Sequence, residues 1–163
     1  MGLGKVLMLA LVIALIAVGI DFSLHYTLPE TVNGVPIAFR ESSAYFAAKI
    51  VVFGIIAALF LGLGLMSKVW GPLVYGLVAS ASFGAFYYLY PSVSVGTGSM
   101  PLPGKALWGG IHWGCGTIAA GIVMRRPSSV LLGILILIVS VGTLLVFGPM
   151  LLTNPALNPA PPY

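Results

Sequence analysis

Charge is what this sequence has least of. Only 6% of its 163 residues are Asp, Glu, Lys or Arg, whereas a soluble domain needs roughly 25% to cover its surface, so a water-soluble fold is excluded. Acids are scarcest, with Asp21, Glu30 and Glu41 the only three, which leaves few groups for general acid–base chemistry. Seven Lys and Arg are too few for a polybasic nucleic-acid surface, because neutralising several phosphates would consume most of them. One cysteine, Cys115, forbids an intrachain disulfide. With two histidines, His25 and His112, there is no HxxxH or HExxH pair. A Gly-rich phosphate loop and a Ser/His/Asp order are missing too, so hydrolase chemistry has no support.

What is abundant is apolar: 60% of residues are hydrophobic and 21 are glycine. A bilayer core about 30 Å thick requires roughly 20 mostly apolar residues per spanning helix. Five such runs occur, over 3–26, 43–65, 70–90, 106–124 and 130–152. The breaks between them carry turn or charge chemistry: Leu28-Pro29-Glu30, Ser67-Lys68, Pro91 to Gly104, and Arg125-Arg126-Pro127-Ser128. The expected fold is an all-α integral membrane protein, a five-transmembrane-helix bundle with short cytoplasmic turns and two longer outer loops. Residues 1–152 form one domain and 153–163 a Pro-rich tail. The first run follows Lys5 as a signal peptide would, but its apolar core exceeds the usual 7–15 or so residues and lacks a small-x-small cleavage site, so it reads as a retained helix. Pro72, Gly76, Gly84 and the Gly109–Gly116 stretch weaken regular helix, which leaves re-entrant hairpins as an alternative for the third and fourth runs.

Lys and Arg in short connections set orientation. With the N-terminus cytoplasmic, Lys5, Lys68, Arg125 and Arg126 lie inside, while Arg40, Lys49 and Lys105 lie outside. The Arg125-Arg126 pair at a tight turn is the strongest local signal, and it places the C-terminus outside, in a plasma membrane. Of the outer segments, Thr27–Ser42 contains Thr31-Val32-Asn33-Gly34-Val35, a hairpin signal, and Pro36 confines any ladder there to an edge. The second, 91–105, is a Ser/Gly/Pro loop. The tail from Asn154 should be extended, either solvated or lying on a neighbour. No internal repeat relates the first and last runs, which weakens an inverted-repeat transporter reading.

Ionisable groups inside membrane spans are costly and are by default functional candidates. At a rise of about 1.5 Å per residue, Asp21 lies roughly 9 Å below the outer interface, and Lys49 and His112 roughly 10 Å below it. Three runs thus place an intramembrane polar layer, Asp21, Lys49 and His112, at one depth. His25 shares a helix face with Asp21 at i+4, and Cys115 lies a turn deeper than His112. The plain reading is an Asp21–Lys49 ion pair with histidines as hydrogen-bonding glue, although Lys49 is long enough to snorkel outward. The sharper one makes His25 and His112 ligands of haem b, or Asp21, His25, His112 and Cys115 ligands of copper or zinc. Gly109, Gly110, Gly114 and Gly116 would then leave room for a macrocycle, or alternatively form a helix-packing face. Trp70, Trp108, Trp113, Tyr26, Tyr45, Tyr87, Tyr88 and Tyr90 fall mostly near helix ends, as interfacial belts do. Ser80 and Ser82 lie mid-span, where they bond back to the preceding turn or line a polar path.

With catalytic groups scarce, the leading expectation is a small accessory subunit of a larger membrane complex, such as a membrane-bound oxidoreductase. Gly-rich faces, outer loops and tail would then contact other subunits. A haem- or metal-bearing redox subunit and a small homo-oligomeric transporter or channel are the alternatives.

Overall fold

The computed structural model describes residues 2–37, 43–89 and 102–156. Of the loop expected over 91–105, residues 91–101 lie outside the described residues and the rest opens α4; Arg40, Glu41, Tyr90 and the tail from Leu157 also lie outside them, as do the side chains of Tyr87, Tyr88 and Lys105. The architecture is all-α, with helices α1 (Leu3–Thr27), α2 (Ser43–Gly62), α3 (Gly71–Leu89), α4 (Leu102–Val123) and α5 (Pro127–Thr153). Four of them, α1, α2, α4 and α5, are long and apolar enough to cross a membrane, whereas the apolar stretch Gly71–Ala85 of α3 is shorter. The chain is an integral, multi-pass helical membrane protein.

Boundaries differ from the sequence reading where backbone chemistry decides them. Helix α2 stops at Gly62, and a 3-10 turn over Leu65–Ser67 leads into α3. Helix α5 starts at Pro127, because proline is pre-set for a first turn, where its missing N–H would be unpaired anyway. Both α3 and α4 run as unbroken helices through their glycines, so neither forms a re-entrant hairpin.

Successive helices pack antiparallel. Asp21 meets Lys49 and Ala14 faces Gly54 across α1 and α2, while Gly76 faces Trp113 and Thr117 across α3 and α4. Across α4 and α5, Gly114 opposes Gly133 and Gly121 opposes Val130. Helix α4 is the hub, packed on α1, α3 and α5. Its glycines are consumed there: a Cβ at Gly114 would sit 3.0 Å from Gly133 O, and one at Gly116 would sit 3.0 Å from Gly76 Cα. Small residues let helix backbones approach this closely.

At one end of the bundle, α4 closes in a Schellman turn, with Arg126 N–H donating to Gly121 O at 2.7 Å and Arg125 N–H to Ile122 O at 3.1 Å. Arg125 occupies the left-handed position at φ +54°, which usually belongs to glycine and costs other residues roughly 1–2 kcal/mol. Arg126 then ties this turn to the α2–α3 turn, its guanidinium donating to Lys68 O at 2.5 Å and also to Ser67 O. At the other end, β1 (Thr31–Val32) and β2 (Val35–Pro36) form an antiparallel hairpin with Val32 opposite Val35. Its turn residues Asn33 and Gly34 have φ of +52° and +78°, as a two-residue primed turn demands. Ile37 follows, fully buried, its N–H donating to Glu30 O at 2.9 Å.

Candidate functional site

Helix α1 is apolar over most of its length, and Asp21 and His25 are its two buried polar side chains among the described residues. Their i,i+4 spacing points both at the gap between α2 and α4. Helix α2 brings Lys49 into that gap and α4 brings His112. All four side chains are buried, with Asp21 and Lys49 fully so.

The Asp21 carboxylate divides its two oxygens. Oδ2 accepts from Lys49 Nζ at 2.5 Å. Oδ1 faces the imidazoles, 3.4 Å from His112 Nε2 and 3.7 Å from His25 Nε2. Lys49 Nζ also lies 3.4 Å from His25 Nε2. Asp21 Oδ1 and His112 Nε2 are ion-paired to one another, yet neither makes a well-formed hydrogen bond among the described residues, although buried polar atoms nearly always do. One ligand atom from each of Asp21, His25 and His112 falls within 4.8 Å of the others. In a tetrahedral site with bonds of about 2.0–2.1 Å, neighbouring ligand atoms lie about 3.3 Å apart. The separations of 3.4 and 3.7 Å from Oδ1 are already near that value.

Aromatic rings wall the cluster. Lys49 Nζ lies 4.7 Å from the Tyr45 ring centroid and 5.1 Å from that of Phe46, within cation–π range. His25 stacks on Trp108 with centroids 4.1 Å apart and planes 9° from parallel. Phe83 lies against His112 at 5.2 Å. Trp108 Nε1–H donates to Ile37 O at 3.1 Å, which joins the site to the hairpin end. These dry walls lower the local dielectric and strengthen each charge interaction inside.

The structure thus brings Asp21, His25, Lys49 and His112 together. Cys115 is buried on α4 but is not part of the ligand cluster. Lys49 points inward to Asp21 and does not snorkel. Of the aromatics expected at the interface, Tyr26 and Trp70 are half-exposed, whereas Tyr45 and Trp108 are buried at the cluster. Trp113 donates to Leu73 O at 3.0 Å. Tyr45 and Trp108 each stand one turn before an ionisable residue, Lys49 and His112, and that i,i+4 spacing was the available signal. No comparable pattern marks Phe83, which belongs to α3. Ser82 bonds back to Val78 O at 2.8 Å, but Ser80 crosses to Gly109 O on α4 at 2.5 Å. No known protein family, curated protein or solved structure matches this chain.

Proposed function

We propose that this chain binds one divalent first-row transition-metal ion within the membrane, through Asp21 Oδ1, His25 Nε2 and His112 Nε2. The observation that carries the reading is the buried convergence on Asp21 Oδ1 of His112 Nε2 at 3.4 Å and His25 Nε2 at 3.7 Å, with neither Oδ1 nor His112 Nε2 making a well-formed hydrogen bond among the described residues. A carboxylate with two imidazoles suits zinc, iron(II) or copper(II). In the metal-free chain the Lys49 ammonium balances the carboxylate charge from the Oδ2 side, leaving Oδ1 directed at the imidazoles. Stacking on Trp108 holds the His25 ring in one plane, as outer partners of metal-binding histidines do.

Haem is the poorer fit. Two axial histidines need a flat macrocycle between their Nε2 atoms, and here Asp21 Oδ1 and Lys49 Nζ lie against those atoms. The glycines that would have made room are taken up by α3 and α5. That internal packing also takes the α4 glycines out of use as a surface for other subunits. A second reading is favoured by the 2.5 Å Asp21–Lys49 contact: a permanent buried ion pair that fixes α1 against α2, with the histidines completing it.

Metal analysis of the purified chain separates the two. After equilibration with cobalt(II) or zinc(II) and removal of excess, the metal reading expects about one ion per chain and tetrahedral-type visible bands for cobalt. His112→Ala and Asp21→Asn should abolish both, while Cys115→Ser should leave them unchanged. Wild-type protein that retains no stoichiometric metal while staying folded would establish the ion-pair reading instead.

A further inference from the structure

The end of the bundle opposite the cluster carries a cationic surface that the metal reading does not use. Because α1 and α2 are antiparallel, the start of α1 with Lys5 lies at the same end as the α2–α3 and α4–α5 turns with Lys68, Arg125 and Arg126. The sequence has no Asp or Glu after Glu41, and Asp21 and Glu30 belong to the other half of the bundle. Among the described residues these cations therefore have no acidic partner at their own end.

We propose that this end binds the phosphate group of an anionic phospholipid, with Lys68 and Arg125 as its contacts. Three observations converge. First, Arg126 is spent on structure: it donates to the carbonyls of Ser67 and Lys68 and locks the two turns into one platform. Lys68 and Arg125 on that platform remain exposed. Second, Arg125 occupies the left-handed C′ position at φ +54°, where glycine is the relaxed residue. A strained arginine in place of the better-fitting glycine is accounted for by what its side chain holds outside the fold. Third, Val69 is 85% and Trp70 48% exposed beside Lys68. An exposed valine and tryptophan next to a cation at a helix end sit at the headgroup level of a bilayer. The height is set by Trp70, and the charge matches a phosphate diester carrying net negative charge.

The test uses the full-length protein, with native mass spectrometry counting retained lipid and a lipid titration giving affinity. Phosphatidylglycerol should be retained in preference to phosphatidylcholine. Each cationic side chain near an anionic surface contributes about a fivefold factor, so Lys68→Gln with Arg125→Gly should lower phosphatidylglycerol affinity about 25-fold on that basis. Arg125→Gly alone should lower it about fivefold while leaving thermal stability equal or higher, since it relieves the left-handed backbone; a folding defect cannot mimic that pair of results. Equal retention of the two lipids, or unchanged affinity in the double variant, overturns the proposal. If inorganic phosphate at millimolar concentration displaces the lipid and protects the protein equally well, the anion is a soluble phosphate and the lipid assignment fails.

Discussion

Replacing Lys49 by methionine removes the ammonium and keeps most of the side chain's length and apolar volume. It leaves the Asp21 carboxylate fully buried without its ammonium: Oδ2 loses the 2.5 Å contact, and Oδ1 keeps only the imidazoles at 3.4 and 3.7 Å. Breaking a buried pair from one side costs about 3–5 kcal/mol, so the folded-to-unfolded ratio should fall by a factor of at least about 150. Replacing both partners, Asp21→Asn with Lys49→Met, removes the stranded charge and should recover most of that loss, because neutral substitutes for a buried pair are often near break-even. Reversible unfolding in mixed micelles, followed by circular dichroism across this double-mutant cycle, gives the coupling energy. A buried pair is little screened, so raising salt should not change the wild-type value. Cobalt(II) adds a second readout, since at a hundredfold excess over its Kd a ligand stabilises the folded state by about 2.7 kcal/mol. The Lys49→Met chain, with its carboxylate uncompensated, should gain more from the ion than wild type does. Single variants that each cost less than about 1 kcal/mol and simply add in the double would refute the reasoning.

Trp108→Phe keeps a ring against His25 but strands Ile37 O, at a cost of about 1–3 kcal/mol. Hydrogen exchange over 30–37 should accelerate while the helices stay protected. Gly76→Ala would put a Cβ 2.6 Å from Trp113 O and 2.8 Å from Thr117 N, separating α3 from α4 at a cost of about 1–3 kcal/mol. Its control, Gly19→Ala, meets nothing within 4 Å and should stabilise α1 by about 0.5–1 kcal/mol; thermal melts in detergent compare the two. With the Arg125-Arg126 turn on the cytoplasmic side, Ser128→Cys should react with an impermeant thiol reagent only from that side, and the buried native Cys115 adds no background. Labelling from outside would invert the proposed orientation.

Membrane class, the approximate helix limits and the Asn33-Gly34 hairpin were all legible in the residues, because each depends on properties that accumulate along the chain: apolar run length, turn chemistry and left-handed backbone preference. Depth is equally linear at a fixed rise per residue, so the level shared by Asp21, Lys49 and His112 was also within reach. What the sequence alone did not decide was azimuth and neighbour. These helices are apolar nearly all round, and a helix without a polar face carries no signal of which side turns inward. That Asp21 directs Oδ2 to Lys49 and Oδ1 to two imidazoles depends on α1 being wedged between α2 and α4. Close contact at small residues sets that arrangement: a Cβ at Gly54 would sit 3.8 Å from that of Ala14 where α2 lies on α1, while Gly76 on Gly116 and Gly114 on Gly133 fix α4 between α3 and α5. The same packing moved Tyr45 and Trp108 from the expected interface to the walls of the cluster, and it turned a glycine face that looked open to other subunits into the seam that holds α4 to α3 and α5.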